Sequence, residues 1–295
     1  MAMGRRTIEF CIISLMVLMF ASCRQTFEPD ALSGDEMLFA PEYPGAVSKA
    51  TETSFEEGDK IGIFAVDYDE KGQARRLELS GNWANNCKAH YEQGKWTVNP
   101  KIYWDGKETM DIYSYYPYVE ELESVDNFRF EIKTDQRDKG LTLSDFLWAN
   151  TIDAKRDDGT IPLQFSHRLS RLDIRLAKGE DYEGELPREA IVKVHGTVPV
   201  ALADLESGDV VKDPDSATAS IIAHCNAPGD YSAIIVPQKI LTQIPLIEVI
   251  AKDVSYLVSS KFIFQGGMRH SVNIILSDNP DKVIINIGGG IDDWN

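Results

Sequence analysis

Asp67, Asp69, Gly72 and Glu78 occupy positions 1, 3, 6 and 12 of a calcium-type loop in DYDEKGQARRLE (67–78). Position 5 is Lys71, whose ammonium would compete with a cation instead of ligating it. The run before the loop, IGIFAV (61–66), has strand character, so the entering helix is missing. The loop reads as an acidic connection between strands, and no metal or cofactor is expected. His90, His167, His195, His224 and His270 include no two at ligand spacing. His167, in FSHRLSRL, reads as a satisfied structural histidine and not as a catalytic base. HExxH, GxSxG, P-loop, GxGxxG and CxxC patterns are all missing. Carboxylates are numerous, but nothing singles out a pair spaced for glycoside hydrolysis. The expectation is a protein that is not an enzyme.

The most specific chemistry is covalent acylation at Cys23, which ends LMVLMFASC (15–23). Arg5 and Arg6 make a basic start, and residues 10–21 are apolar apart from Ser14. That run is far short of the roughly 20 residues a spanning helix needs, and it suits a secretory signal. Small Ala21 and Ser22 directly before a cysteine resemble a bacterial lipobox, whose thiol receives diacylglycerol before cleavage; Phe20 stands where Leu is usual. Residues 1–22 are expected as signal peptide, Cys23 as the lipid attachment site, and 23–45 as a lipidated tether. Several acyl chains on Cys23 hold a protein at a membrane without a spanning helix. Secretion with cleavage nearby is the alternative.

The formal net charge is −17. So acidic a chain does not bind nucleic acid through phosphate neutralisation, and anionic head groups repel it. A membrane partner is therefore reached through lipid. With Cys11 removed and Cys23 acylated, Cys87 and Cys225 remain. They are expected in different domains and free.

These residues need elements to hold them. Short runs rich in β-branched and aromatic residues recur along the chain: IGIFAV (61–66), MDIYSYYPY (110–118), FRFEI (128–132), RLDIRL (171–176), YSAIIV (231–236), HSVNIIL (270–276) and KVIINI (282–287) among them. Turn signals such as Asp158-Gly159 and Pro228-Gly229-Asp230 separate them. In FRFEI, Phe128, Phe130 and Ile132 share one face, and Arg129 and Glu131 the other. No long helical periodicity competes. The chain reads as all-β, with two sandwich domains at 46–158 and 159–295 and a linker near 150–160, NTIDAKRDDGT. Tyr113, Tyr115, Tyr116 and Tyr118 would place one pair on each strand face, which suits core packing or a carbohydrate platform.

MDIYSYYPYV, DFLWAN (145–150), PLQFSHRLSRLDIRL (162–176), AIVKVHGTVPVALADLESGDV (190–210), YSAIIVPQ (231–238), FQGGMRHSVNIIL (264–276) and the ending IDDWN (291–295) resemble, in order and spacing, the fimbrillin family of Bacteroidetes surface lipoproteins. The resemblance implies two tandem transthyretin-like β-sandwich domains. It implies a fimbrial subunit at the outer membrane and in the fimbrium, whose partners are other fimbrial subunits joined by strand exchange. The alternative is a non-polymerising surface lipoprotein that binds glycan or host protein. Well-known members are cut after an arginine ahead of the first domain; here no arginine stands between Gln25 and Ala74, and Lys49 is the first basic residue. LFAPEYPGAVSKATETSF (38–55) is the expected removable strand, with Ala46 and Val47 as apolar plugs, and with Pro41 and Pro44 confining it to an edge. KVIINI (282–287), with Val283, Ile285 and Ile287 on one face, is the expected donor.

Overall fold

The computed structural model describes residues 35–45, 54–251, 253–286 and 291–294. The signal segment, Cys23, Ala46, Val47 and Lys49 lie outside the described residues. Strands dominate, with three short 3-10 turns, and no α-helix occurs among the described residues. Among them no helix is long and apolar enough to cross a membrane.

Lys60–Asp67 and Thr109–Tyr116 pair antiparallel at the centre of a six-stranded sheet. Ala84–Glu92 and Lys95–Asn99 extend it on one side, and Leu147–Lys155 and Ser166–His167 on the other. The two central strands are buried almost throughout, because both faces of the sheet are covered. Ile61, Ile63, Ala65, Met110 and Ile112 enter one core. Phe64, Val66, Tyr113 and Tyr115 enter the other. Gly62 is required here, since a Cβ would collide with the Tyr115 ring.

The first core is closed by a small layer in which Phe39–Glu42 runs parallel to Ile161–Gln164. The second core continues into the C-terminal half. There Ser170–Lys178 lies between Asp230–Ile235, antiparallel, and Met268–Leu276, parallel. Ile191–Thr197 lies between Ala219–Ile222 and Gln238–Ala251, and the latter forms a long hairpin with Val254–Phe264.

Alternation in FRFEI holds: Phe128, Phe130 and Ile132 are buried, while Arg129 and Glu131 face solvent. Its partner is less local. Phe128–Glu131 pairs with Val200–Ala203, a strand from the C-terminal half. The stretch expected as a linker is also different. Leu147–Lys155 is a strand, Arg156–Asp158 a 3-10 turn, and Ile161–Gln164 a strand again. Polarity in NTIDAKRDDGT reflects an exposed strand end. Residues of low apolar content still pair when backbone partners lie on both sides, and Thr109–Tyr116 supplies one.

Candidate functional site

The N-terminal segment sits where a strand could leave. Over 35–37 it borders residues 102–104: Met37 N–H donates to the Ile102 carbonyl at 2.8 Å, and Trp104 N–H to the Asp35 carbonyl at 3.0 Å. From Leu38 on it borders Ile161–Gln164, whose side donates Ile161 N–H to the Leu38 carbonyl at 2.8 Å and Phe165 N–H to the Glu42 carbonyl at 3.0 Å. The carbonyls of Leu38 and Glu42 face that neighbour, so by alternation the Pro41 nitrogen faces away, where no donor is needed. Met37 is 2% exposed and Pro44 is buried, while Phe39 and Tyr43 are partly buried against the same core. Two ion pairs fasten the start of the segment. Glu36 meets Lys101 Nζ at 2.7 Å, and Asp35 pairs with Arg156. A groove of about 280 Å³ remains beside it, lined by Met37, Phe39, Pro41, Trp96 and Val98.

By sequence, residues 35–37 belong to the tether and 38–42 to both the tether and the removable strand, with Ala46 and Val47, which lie outside the described residues, as the plugs. Among the described residues Met37 and Phe39 fill the first core, and the sequence signal that could have found them is the alternation of Met37, Phe39 and Pro41 with Leu38, Ala40 and Glu42.

The C-terminal segment is a second edge. Ile284–Asn286 pairs antiparallel with Met268–Leu276. Ile291–Asp293 pairs with the start of the same strand, opposite His270, Arg269 and Met268. Val283 and Ile285 pack against the second core, whereas Ile284 and Ile291 are each 57% exposed. Trp294 closes the tail. It is buried, its N–H donates to the Gly267 carbonyl at 2.9 Å, and its ring stacks on His167. His167 Nδ1 lies 3.0 Å from Asp145 Oδ1, and the Tyr43 hydroxyl donates to Asp145 Oδ2 at 3.3 Å. His167 is thus a buried, partnered histidine that meets residues from both chain ends.

The remaining motifs resolve structurally. In the 67–78 loop, Asp67 pairs with Arg75 and Lys107, and Asp69 Oδ1 accepts the Lys71 and Gln73 N–H groups. No acidic, histidine or cysteine cluster fit for a metal occurs among the described residues. Tyr113 and Tyr115 are buried in one core and Tyr116 packs on the other, so they offer no platform. Burial pushes the Tyr115 and Tyr116 hydroxyls well above their ordinary range, Tyr116 with help from Asp59. Cys87 is buried and Cys225 exposed, and both are free thiols. The structure also joins residues that sequence separation hid. His195 lies between Ser220 Oγ at 2.7 Å and Glu248 Oε2 at 3.2 Å. Glu248 also accepts from Ser255 and meets Lys193, and these bonds hold its carboxyl below the usual range. These residues lie on adjacent strands of one sheet, the geometry of a cross-strand polar ladder.

A family model described as fimbrillin-like matches residues 48–294. Over 176 residues the chain is 29% identical to a fimbrium tip subunit, Fim1C, of Bacteroides ovatus. That stretch is 53% of this chain and 31% of the relative, so the match spans about a third of the relative's length. A cell adhesion protein of Bacteroides uniformis superposes with a TM-score of 0.67 at 18% identity, over 88% of this chain and 98% of that one. One from Bacteroides ovatus gives 0.68 at 16% identity, over 89% and 98%. These two structures share the all-β sandwich fold.

Proposed function

The chain belongs to the fimbrillin-like family, and on that premise we propose that it is a structural, adhesive subunit of surface fimbriae, exported as a lipoprotein. Residues 1–22 direct export and Cys23 carries the lipid that brings the protein to the outer membrane. The mature chain is organised as two sandwich domains; the boundary expected at 158 moves to beyond His167, because Ile161–Gln164 and Ser166–His167 pair within the N-terminal half. Subunits join by strand exchange: a cut at Lys49 frees the N-terminal segment, and an extended strand from another subunit takes its place.

One observation carries this reading. The 35–42 segment borders backbone on both flanks and covers the apolar floor of the first core with Met37 and Phe39, and its backbone is held by short pairings and two surface ion pairs. Its departure exposes unpaired N–H and C=O groups at Ile102, Trp104 and Ile161–Gln164, a template for a new strand.

The test is the N-terminal residue of protein recovered from surface fibres, with antibody-labelled electron microscopy of the same cells. Linear labelled fibres whose subunits begin beyond Glu42 support the reading. Fibres built of chains that still begin at Cys23 overturn strand exchange, and diffuse label without fibres overturns the fimbrial role.

A further inference from the structure

We propose that the outer strands of the N-terminal sheet carry a binding site for a carboxylated glycan, with Tyr118 as the wall on which a sugar ring packs and Lys60 and Lys88 as the cations that meet its carboxylate. The inference rests on the adhesive part of the reading above and adds to it a ligand class and a place on the chain.

The site exists because the sheet is wider than its second cover. Along Ala84–Glu92 and Lys95–Asn99 one face is apolar: Cys87 and Ala89 are buried in the first core, and Tyr91, Trp96 and Val98 pack against it. Alternation puts Lys88, His90, Thr97 and Asn99 on the other face. At the sheet centre that side is roofed, because Phe64, Tyr113 and Tyr115 enter the second core there. Toward the edge the roof stops, and the polar side chains form an open ledge. Lys88 lies opposite Gly62 on one side and Asn99 on the other; His90 lies opposite Lys60 and Thr97. Lys60, Thr97 and Asn99 are exposed, and Lys88 and His90 partly so.

Tyr118 stands at the step between roof and ledge. Its N–H donates to the Lys60 carbonyl at 2.9 Å, and Asn86 Nδ2 fixes the next residue by donating to the Val119 carbonyl at 2.9 Å. The Lys88 ammonium lies 5.7 Å from the centre of the Tyr118 ring. Tyr118 keeps part of its surface in water, whereas Tyr113 and Tyr115 are buried. An aromatic wall, cations beside it, and a hydroxyl and an amide on the floor match a sugar acid. The ring packs its C–H face on the phenol, the carboxylate takes the ammonium groups, and Thr97 and Asn99 meet hydroxyls.

Charge selects the class. The chain is strongly acidic, at −17, yet the ledge carries Lys60, Lys88 and Lys95 against Glu92 on the same face. Lysine ion pairs among the described residues are those of Lys101, Lys107, Lys155, Lys178 and Lys193, so the ledge lysines keep their charge for a ligand. At physiological salt the field of more distant acids fades within about 8 Å, and the local excess governs. Among the described residues no large apolar side chain is exposed on the ledge, which disfavours a protein partner, since protein interfaces bury an apolar centre.

Isothermal titration of the full-length chain in detergent tests the site. Tetragalacturonate and sialyllactose are the carboxylated probes, maltotetraose the neutral one, and a tetraglutamate peptide the acidic, protein-like one. At least one carboxylated sugar should bind, about tenfold or more tighter than maltotetraose and tetraglutamate. Lys60→Glu with Lys88→Glu should weaken that binding about tenfold, as should Tyr118→Ala, whereas Tyr118→Phe should stay within about twofold. Lys239→Glu with Lys261→Glu makes the same change in net charge on a different sheet and should also stay within about twofold. An unfolding midpoint for each variant separates a lost site from a lost fold. Failure of both carboxylated sugars to bind overturns the proposal, as does an equal loss in the two lysine double variants. Equal binding of tetraglutamate assigns the ledge to an acidic protein surface instead, and equal binding of maltotetraose removes the role of charge. Each of these failures leaves the fimbrial reading standing, because fibres and the first residue of their subunits decide that one.

Discussion

The Trp294 indole lies flat on the His167 imidazole, with ring centroids 3.9 Å apart and planes 2° from parallel, and Tyr43 meets the same imidazole edge-on at 5.8 Å. The last aromatic of the tail and the end of the N-terminal segment thus share one buried ring. Trp294→Ala removes the stack and the burial together, at a cost of about 3 kcal/mol. Hydrogen exchange of the amides over 291–294 should accelerate at least tenfold, while amides of Lys60–Asp67 follow only the global loss. Equal protection of the tail in wild type and variant contradicts the anchor role.

Phe130 and Arg129 are neighbours with opposite surroundings. Phe130 is 8% exposed and packs against Phe146 at 5.3 Å between ring centroids. Phe130→Ala should cost about 3–5 kcal/mol in urea unfolding by leaving a cavity. Arg129 faces solvent but reaches Asp213 at 2.7 Å, a contact the alternation alone does not reveal. Its loss should cost at most about 1 kcal/mol. Comparable losses for the two would mean that the strand register is wrong.

His270 gives stability a pH dependence. Its ring is buried beside Phe262 and Phe264, and its Nε2 accepts the Gln265 N–H at 3.2 Å. Burial pushes the imidazole below its ordinary value near 6.5. The unfolded chain therefore takes up a proton at higher pH than the folded one. The contribution is complete above 6.5 and is lost as pH falls from there toward the depressed folded value. His270→Gln should flatten this part of the stability–pH curve whatever its absolute stability, as measured by denaturant midpoints at closely spaced pH values. An unchanged slope would assign the dependence to other groups.

Cys23→Ala should abolish incorporation of a fatty-acid analogue and move the protein away from the membrane fraction. The motive is the short apolar run ending Ala21-Ser22-Cys23. Equal labelling of variant and wild type would place the lipid elsewhere or remove it from the account.

The order of side chains along each strand determined a great deal. Period-two alternation is a local property, because successive Cβ atoms point to opposite faces. It therefore placed Phe128, Phe130 and Ile132 inside and Arg129 and Glu131 outside without knowledge of any partner. The same logic marked Val283 and Ile285 as the inward pair of the C-terminal strand, and the spacing of strands and turns carried the all-β class. Pairing is a different matter. Backbone N–H and C=O groups are alike at every residue, so which strand lies beside which is decided by how distant segments close over a shared core. Only the tertiary structure joined Phe128–Glu131 to Val200–Ala203, made a strand of Leu147–Lys155, and set Ser170–Lys178 parallel to Met268–Leu276. It also brought Lys101 and Arg156, 55 positions apart, to the acidic start of one short segment, and laid Trp294 and Tyr43 on one histidine.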